Sequence, residues 1–411
     1  MMFKFTVLFG RRSPIVSYLS HYPKVVSPLF EKSTIRCYTA SCQLVRKTES
    51  PLATAQSITR IPFALKSTGV STQIQLNPHQ KKSVLAILNM FDEALTTSSM
   101  VYLLSSMARL VKKDCNEREK LQMESPEEES SEYTRLLNCI TDNISRLESR
   151  QLAVIIWSLA KIQERTHPLL KVCEEEILSR GVGTFDYKTA SQIVVGLSLL
   201  NWTDTSVFGE VEKAILCRQL DIATFNLRSF AQTVVSFAKT DNGSSQLFEL
   251  FLNEILSCAF STFHNNDLSH FVWSFAKRGF QADGLFEKTE AELFRRNIST
   301  IVKSVDIGTL LWSFASTGNG SMELFSAFGD LIQTKDIKHF NNNELSQTIW
   351  ALGKAGVTSD LLFSQFEDEV KKRGIQTFSR NDCEMLLEGF TCFNSGNKEL
   401  LSSLKSSVLN K

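Results

Sequence analysis

The sequence lacks a long apolar run and a dominant charge of either sign. Its 45 Lys and Arg residues nearly balance its 44 Asp and Glu residues, for a formal net charge of +1. No apolar run approaches the roughly 18 to 20 residues that a membrane-spanning helix needs, so no transmembrane segment is predicted. With 43% hydrophobic and 22% charged residues, the composition is that of an ordinary folded protein.

Paired cysteines are also missing. The nine cysteines are scattered, and no Cys-x-x-Cys pair occurs anywhere. A disulfide framework and a structural zinc site are therefore not expected, and most cysteines are predicted to be reduced packing residues. Cys383 and Cys392 lie close together, but two isolated cysteines give little support for a metal site.

The usual catalytic motifs are absent as well. There is no G-x-x-x-x-G-K, no H-E-x-x-H and no G-x-S-x-G. The six histidines are dispersed, and the acidic run 174–176 is interpreted as a solvated helix face. We therefore expect no catalytic residue, metal, cofactor or small-molecule substrate, and the protein is predicted not to be an enzyme.

Residues 1–47 differ in composition from the rest of the chain. They contain eight basic residues and one acid, Glu31, with Ser and Tyr interspersed, which is typical of a mitochondrial presequence. Arg36 lies two residues before Tyr38, as at a matrix-protease cleavage site. We predict a disordered targeting segment at 1–47, a linker at 48–78 and a matrix location. A plastid transit peptide or a plain basic tail are the alternatives.

Without this segment the chain is not basic. Eight of the 45 basic residues and one of the 44 acids lie in 1–47, which leaves 37 basic and 43 acidic residues, a net charge of about −6. A globally basic nucleic-acid binder is therefore excluded.

One short segment, with the form "WSFAK", recurs along the chain. With its Trp as position 0, equivalent positions follow one another at intervals of 38 to 40 residues. These positions are Trp157, Val195, Val235, Trp273, Trp312, Trp350 and Glu388. A degenerate earlier unit is centred on Ser105. A fixed period of this length predicts a repeat architecture.

The second half of each unit supports the same register. Apolar residues recur at positions +13, +16 and +20, as in Phe248, Phe251 and Ile255, and this spacing marks one face of an α-helix. Each unit is thus an A helix, a turn and a B helix. We predict an all-α fold, an α-solenoid of about eight helix-turn-helix repeats over 79–411, with an acidic disordered insertion at about 112–132.

The faces of helix A divide by position. Positions −5, −2, −1, +2 and +3 form the core face, whereas −3, +1 and +4 are predicted to lie opposite it. Position +1 is always small, so something is expected to approach there closely. Trp residues at 0 are predicted to pack between repeats, with base stacking as the alternative.

Polar residues at −3 and lysines at +4 are the candidate RNA contacts. An amide can pair with a base edge and a lysine can neutralise a phosphate, as in helical-repeat proteins that read one base per repeat. The alternative is that these residues only solvate an exposed helix face. The candidates are Gln192, Gln232, His270, Thr309 and Gln347 at −3, Lys161, Lys239, Lys277 and Lys354 at +4, and the neighbouring Arg278.

The segments "DLSHFVWSFAKRG" (267–279) and "ELSQTIWALGKAG" (344–356) resemble octotricopeptide repeats and the related heptatricopeptide repeats of organellar proteins. This resemblance implies binding to single-stranded organellar mRNA or rRNA in transcript processing, stability or translation, or a place in the mitoribosome beside its proteins. Only three residues follow Val408, so a C-terminal RAP domain is not expected. The rival interpretation is a scaffold whose concave groove takes a protein helix or peptide.

Overall fold

The computed structural model describes residues 95–110, 132–300, 303–393 and 398–410. Within these residues the chain forms sixteen α-helices and no β-strand. The helices are α1 (Thr97–Leu110), α2 (Glu132–Asp142), α3 (Ser149–Ile162), α4 (Leu169–Arg180), α5 (Tyr187–Leu199), α6 (Val207–Leu216), α7 (Leu227–Lys239), α8 (Ser245–Ser257), α9 (Asn265–Lys277), α10 (Asp283–Arg296), α11 (Ser304–Thr317), α12 (Met322–Gln333), α13 (Asn342–Lys354), α14 (Asp360–Arg373), α15 (Arg380–Cys392) and α16 (Lys398–Asn410).

The odd-numbered helices are the A helices and the even-numbered helices are the B helices. Each A helix packs along the A helix of the next repeat, whereas neighbouring B helices touch at fewer places. The result is an array of eight helical pairs, and the predicted α-solenoid is confirmed. The predicted targeting segment 1–47, the linker 48–78 and almost all of the insertion at 112–132 lie outside the described residues.

The core follows the two predicted helical faces. From α4 to α14, every residue at +13, +16 and +20 of the B helices is buried, including the weak member Thr289. Phenylalanines join successive repeats through ring contacts: the Phe248 ring lies 5.6 Å from Phe275 in an edge-to-face contact, and Phe230 lies 5.7 Å from Phe271 in a tilted contact. The phenylalanines of the described residues thus serve largely to build this continuous core.

Several A helices begin at a side-chain cap. Asp186 and Asn226 accept a backbone N–H from the third residue of α5 and α7, and Asn341 and Glu344 form a reciprocal capping box at α13. Such caps satisfy the free N–H groups of the first turn. They fix where the capped A helices start, and with it the register of the residues that these helices present.

Three B helices end in an arginine that holds the preceding turn. Arg373 pairs with Glu369 at 2.8 Å and donates to the carbonyl oxygens of Phe340 and Ile337 at 2.7 and 3.2 Å. Arg180 and Arg296 repeat this arrangement with Glu176 and Glu292. Each Glu–Arg pair therefore ties one B helix to the short turn that precedes its own repeat.

Several acids of the B helices have structural partners. Glu174 accepts the indole N–H of Trp202 at 3.0 Å, and Glu176 pairs with Arg180 at 2.6 Å. Of the run 174–176, only Glu175 is fully exposed. The interpretation of this run as a purely solvated face is therefore wrong for two of its three members, because their carboxylates join neighbouring turns.

The close approach predicted at +1 comes from the neighbouring A helix. A Cβ on Gly389 would lie 2.8 Å from the carbonyl oxygen of Ile349, and one on Gly196 would lie 2.7 Å from Ile156 Cγ2. Every +1 residue from Ser158 to Gly389 is buried. The prediction that +1 shares an outer surface with −3 and +4 is wrong, because the small residue is covered by the preceding repeat.

No helix among the described residues is long and apolar enough to cross a bilayer.

Candidate functional site

Four positions of each A helix form its outer row. At 100° per residue, −7, −3, 0 and +4 fall within about 60° of the helix circumference. From α3 to α15, the residues at −3 are partly buried, and nearly all of those at −7 and +4 are exposed. We call this line of positions across the seven helices the exposed ridge.

The structure brings the predicted −3 and +4 residues together on this ridge. The residues at −3 are all partly buried, namely Gln192, Gln232, His270, Thr309 and Gln347. The lysines at +4 are all exposed, namely Lys161, Lys239, Lys277 and Lys354. Each polar side chain at −3 therefore lies about two turns from a position +4 on the same helix face.

Arg278 does not belong to the ridge. Its guanidinium donates to the carbonyl oxygen of Gly243 at 2.9 Å, lies 3.6 Å from Asp241 and covers the Phe248 ring at 5.4 Å. These three partners lie in the turn and B helix of the preceding repeat. The geometry gives Arg278 a role in joining repeats, which its sequence position beside Lys277 did not reveal.

The ridge lysines have local contacts but keep exposed ammonium groups. Lys354 lies over the Trp350 ring at 4.5 Å, and Lys161 lies over Trp157 at 5.8 Å. Lys239 donates to the carbonyl oxygen of Ser198 at 3.1 Å. Lys277 is 3.9 Å from Asp241 in a solvent-exposed pair. Exposed pairs of this kind are worth little, so these contacts orient the side chains without withdrawing their charge.

Three further cations on the ridge were missed by the sequence reading. Arg150, Lys188 and Arg228 occupy position −7 of α3, α5 and α7, and all three are exposed. They lie one helical turn before −3 on the same face, so the candidate positions −3 and +4 do not include them. With them the ridge holds seven cations and one carboxylate, Glu388.

The tryptophans at position 0 combine packing with exposure. Trp157, Trp273 and Trp312 are partly buried against the core, and Trp350 is 8% exposed. The predicted packing role is therefore confirmed. No hydrogen bond joins the indole N–H of these four residues to any residue that the structure describes. The ridge thus presents partly covered rings at Trp157, Trp273 and Trp312, whereas Trp350 is buried beneath Lys354.

His270 is the only histidine at the ridge positions of α3 to α15. Burial lowers its pKa below the ordinary histidine value, the Asp267 carboxylate acts in the opposite direction, and Lys303 lowers the pKa further. The Asn266 side-chain amide lies 3.3 Å from Nδ1. The imidazole is consequently neutral at pH 7 and can accept as well as donate a hydrogen bond.

Replacing His270 with Gln, the residue found at −3 in α5, α7 and α13, is expected to reduce the loss of stability in mild acid. Because the pKa is lowered in the folded chain, the unfolded chain binds more protons, so stability falls as pH drops below the ordinary histidine value. Urea midpoints at pH 7.5 and 5.5 measure this. Between these two pH values the urea midpoint of the native chain should fall more than that of H270Q. Equal falls would contradict the lowered pKa of His270.

Within the described ranges, no three His, Cys, Asp or Glu side chains are grouped as a metal ion would require. Comparison with models of known protein families gives no match for this chain. No curated protein matches it either.

Proposed function

We propose that this protein is a non-catalytic mitochondrial RNA-binding solenoid whose exposed ridge holds single-stranded RNA. The observation that carries the proposal is the charge of the ridge, with seven cations and one carboxylate on a chain that is net acidic beyond residue 47. A face that is rich in cations and poor in acids is the electrostatic footprint of a nucleic-acid binder.

The chemistry of the row between the cations supports RNA over a bare polyanion. Amide, hydroxyl and imidazole groups at −3 can pair with base edges, and the indoles at 0 offer faces on which bases stack. These groups differ from repeat to repeat, whereas the core face stays nearly constant. A variable polar position on a constant frame is suited to base recognition in single strands.

In this proposal the biological role is organellar RNA processing, stability or translation, or a structural place in the mitoribosome. It rests on the resemblance of 267–279 and 344–356 to octotricopeptide repeats and on the composition of 1–47. The modest number of cations points to an affinity that depends on base contacts as well as on charge.

A charge-reversal series tests the proposal. Binding of the full chain to a fluorescent 30-nucleotide RNA is measured between 50 and 200 mM salt for native protein and for the triple variant Lys161→Glu, Lys277→Glu, Lys354→Glu. The loss of three phosphate contacts should lower the salt slope by about 2, at roughly 0.7 per contact for single strands, and weaken binding about tenfold or more.

The matched control reverses three exposed lysines of B helices, Lys171, Lys213 and Lys372, which changes the net charge by the same amount. This control should bind nearly as well as native protein. If native protein shows no salt-dependent binding, or if both triple variants lose affinity equally, the ridge is not an RNA site.

A protein-binding scaffold is the second candidate. Two apolar residues stand exposed on the ridge, Leu199 at 38% and Val305 at 45%, and exposed apolar side chains favour protein partners. In that case the chain would recover a protein from mitochondrial extract after nuclease treatment, and the ridge variants would lose that protein without any effect of RNA.

A further inference from the structure

The first turn of the A helices changes character along the array. At −7 and −6, the pairs are Arg150–Gln151, Lys188–Thr189 and Arg228–Ser229 in α3, α5 and α7. In the four later A helices they are Asn266–Asp267, Val305–Asp306, Asn343–Glu344 and Asn381–Asp382. At these two positions, therefore, each of the first three A helices carries a cation and each of the last four carries a carboxylate.

The later carboxylates belong to the helix starts. Asp267, Glu344 and Asp382 each accept the N-cap backbone N–H in a capping box, and Asp306 is buried at the equivalent place. Negative charge in the first turn also balances the positive end of the helix dipole. At −7 and −6, α9 to α15 thus bring a carboxylate to the helix start and α3 to α7 bring a cation, with Glu148 and Asp186 as the N-cap residues of α3 and α5.

The tryptophans are distributed differently from the cations. Position 0 is Trp in α9, α11 and α13 and also in α3, but it is Val in α5 and α7. Three of the four ridge tryptophans thus lie in α9 to α13, and of these Trp273 and Trp312 are partly exposed whereas Trp350 is buried. The cations divide as five in α3 to α7 and two in α9 to α13.

We infer that the ridge has two functional parts: α3, α5 and α7 bind RNA phosphates, and α9, α11 and α13 bind RNA bases. The inference rests on the proposed function and adds a division of labour to it. Phosphate contacts supply affinity and position the strand without reading sequence, whereas stacking and polar contacts distinguish nucleotides. Recognition of sequence is therefore located in the later repeats.

Two variants and two ligands separate the parts. Lys188→Glu with Arg228→Glu alters the first part, and Trp273→Ala with Trp312→Ala alters the second. Each is measured against a 30-nucleotide RNA and against an abasic ribose-phosphate chain of the same length. Lys171→Glu with Lys213→Glu is the control for charge.

The variant with Lys188→Glu and Arg228→Glu should bind both ligands about tenfold more weakly. Its salt slope should be lower by about 1.4, at roughly 0.7 per phosphate contact. The tryptophan variant should bind the RNA about tenfold more weakly, with an unchanged salt slope, and should bind the abasic chain as well as native protein does. Because these tryptophans also pack against the core, photo-crosslinking of native protein to RNA containing 4-thiouridine gives an independent readout. Crosslinked peptides should come from α9, α11 and α13.

The outcomes separate this inference from the proposed function. If native protein binds neither ligand, the proposed function itself fails. If native protein binds RNA but both variants lose affinity for both ligands to the same extent, RNA binding stands and the division of the ridge into two parts is overturned. Crosslinks that fall mainly in α3, α5 and α7 would overturn this division as well.

Discussion

Substituting Gly353 with alanine is expected to separate the last two A helices and destabilise them by about 3 kcal/mol, in the upper range for overpacking a tight core. An added Cβ would lie 3.0 Å from the Cα of Gly389 and closer still to its carbonyl oxygen. Both atoms are backbone, so no side chain can rotate away. α13 and α15 would have to move apart along their length.

The expected signature is local. In a solenoid each repeat contacts only its neighbours, so urea should release α15 and α16 before the preceding repeats unfold. Hydrogen exchange measured by mass spectrometry resolves this difference, with protection lost in 380–410 and kept in 149–257. Unchanged protection of α15 would show that the contact is not tight.

The control is Gly209→Ala in α6. This glycine is helical, and nothing lies within 4 Å of the place that its Cβ would take. Alanine there should raise stability by up to about 1 kcal/mol through helix propensity. The two glycine substitutions are chemically identical, so a difference in sign isolates the effect of helix approach.

Replacing Arg373 with alanine is also expected to lower the free energy of unfolding strongly. Its guanidinium satisfies the carbonyl oxygens of Phe340 and Ile337 and pairs with Glu369, which is 8% exposed. Arg373→Ala leaves a buried carboxylate and two carbonyl oxygens without their donor. Loss of one partner of a buried pair costs about 3 to 5 kcal/mol, and partial exposure of the pair here lowers the expectation to about 2 to 4.

The measurement is urea unfolding, with hydrogen exchange of the turn 337–339 as the local probe. Arg380→Ala is the matched control, since Arg380 and Glu384 form an exposed pair with four-residue spacing on α15. That substitution should change stability by less than about 0.5 kcal/mol. Similar losses for the two arginines would mean that the turn contacts of Arg373 contribute nothing.

The repeat could be predicted from sequence because packing imposes it at every step. Phe248, Phe251 and Ile255 are apolar at helical spacing, and such spacing reports burial directly. The burial of position +1 was harder to predict. Ser274 is small and polar, which suits an exposed surface as well as a close contact, and only the neighbouring helix decides that it is buried.

Side-chain contacts between repeats could not be predicted from the sequence. Arg278 and Lys277 are adjacent cations, yet one joins two repeats and the other lies on the ridge, because consecutive helical residues differ by 100° in direction. The Glu–Arg pairs of the B helices link residues 33 to 36 positions apart, such as Arg373 with Phe340 and Ile337. The four-residue spacing of Glu and Arg is visible in the sequence, but this spacing does not predict which carbonyl oxygens the arginines bind.

The nearest-neighbour packing of the A helices has a consequence for how such a protein can evolve. Each A helix meets the next through small residues and caps that recur every 38 to 40 residues. Duplication or loss of one whole unit would preserve every type of interface, since the new neighbours would match the old ones. Each event would lengthen or shorten the row of outward-facing side chains by four. The length of the exposed ridge could thus change in whole steps without any redesign of the interior.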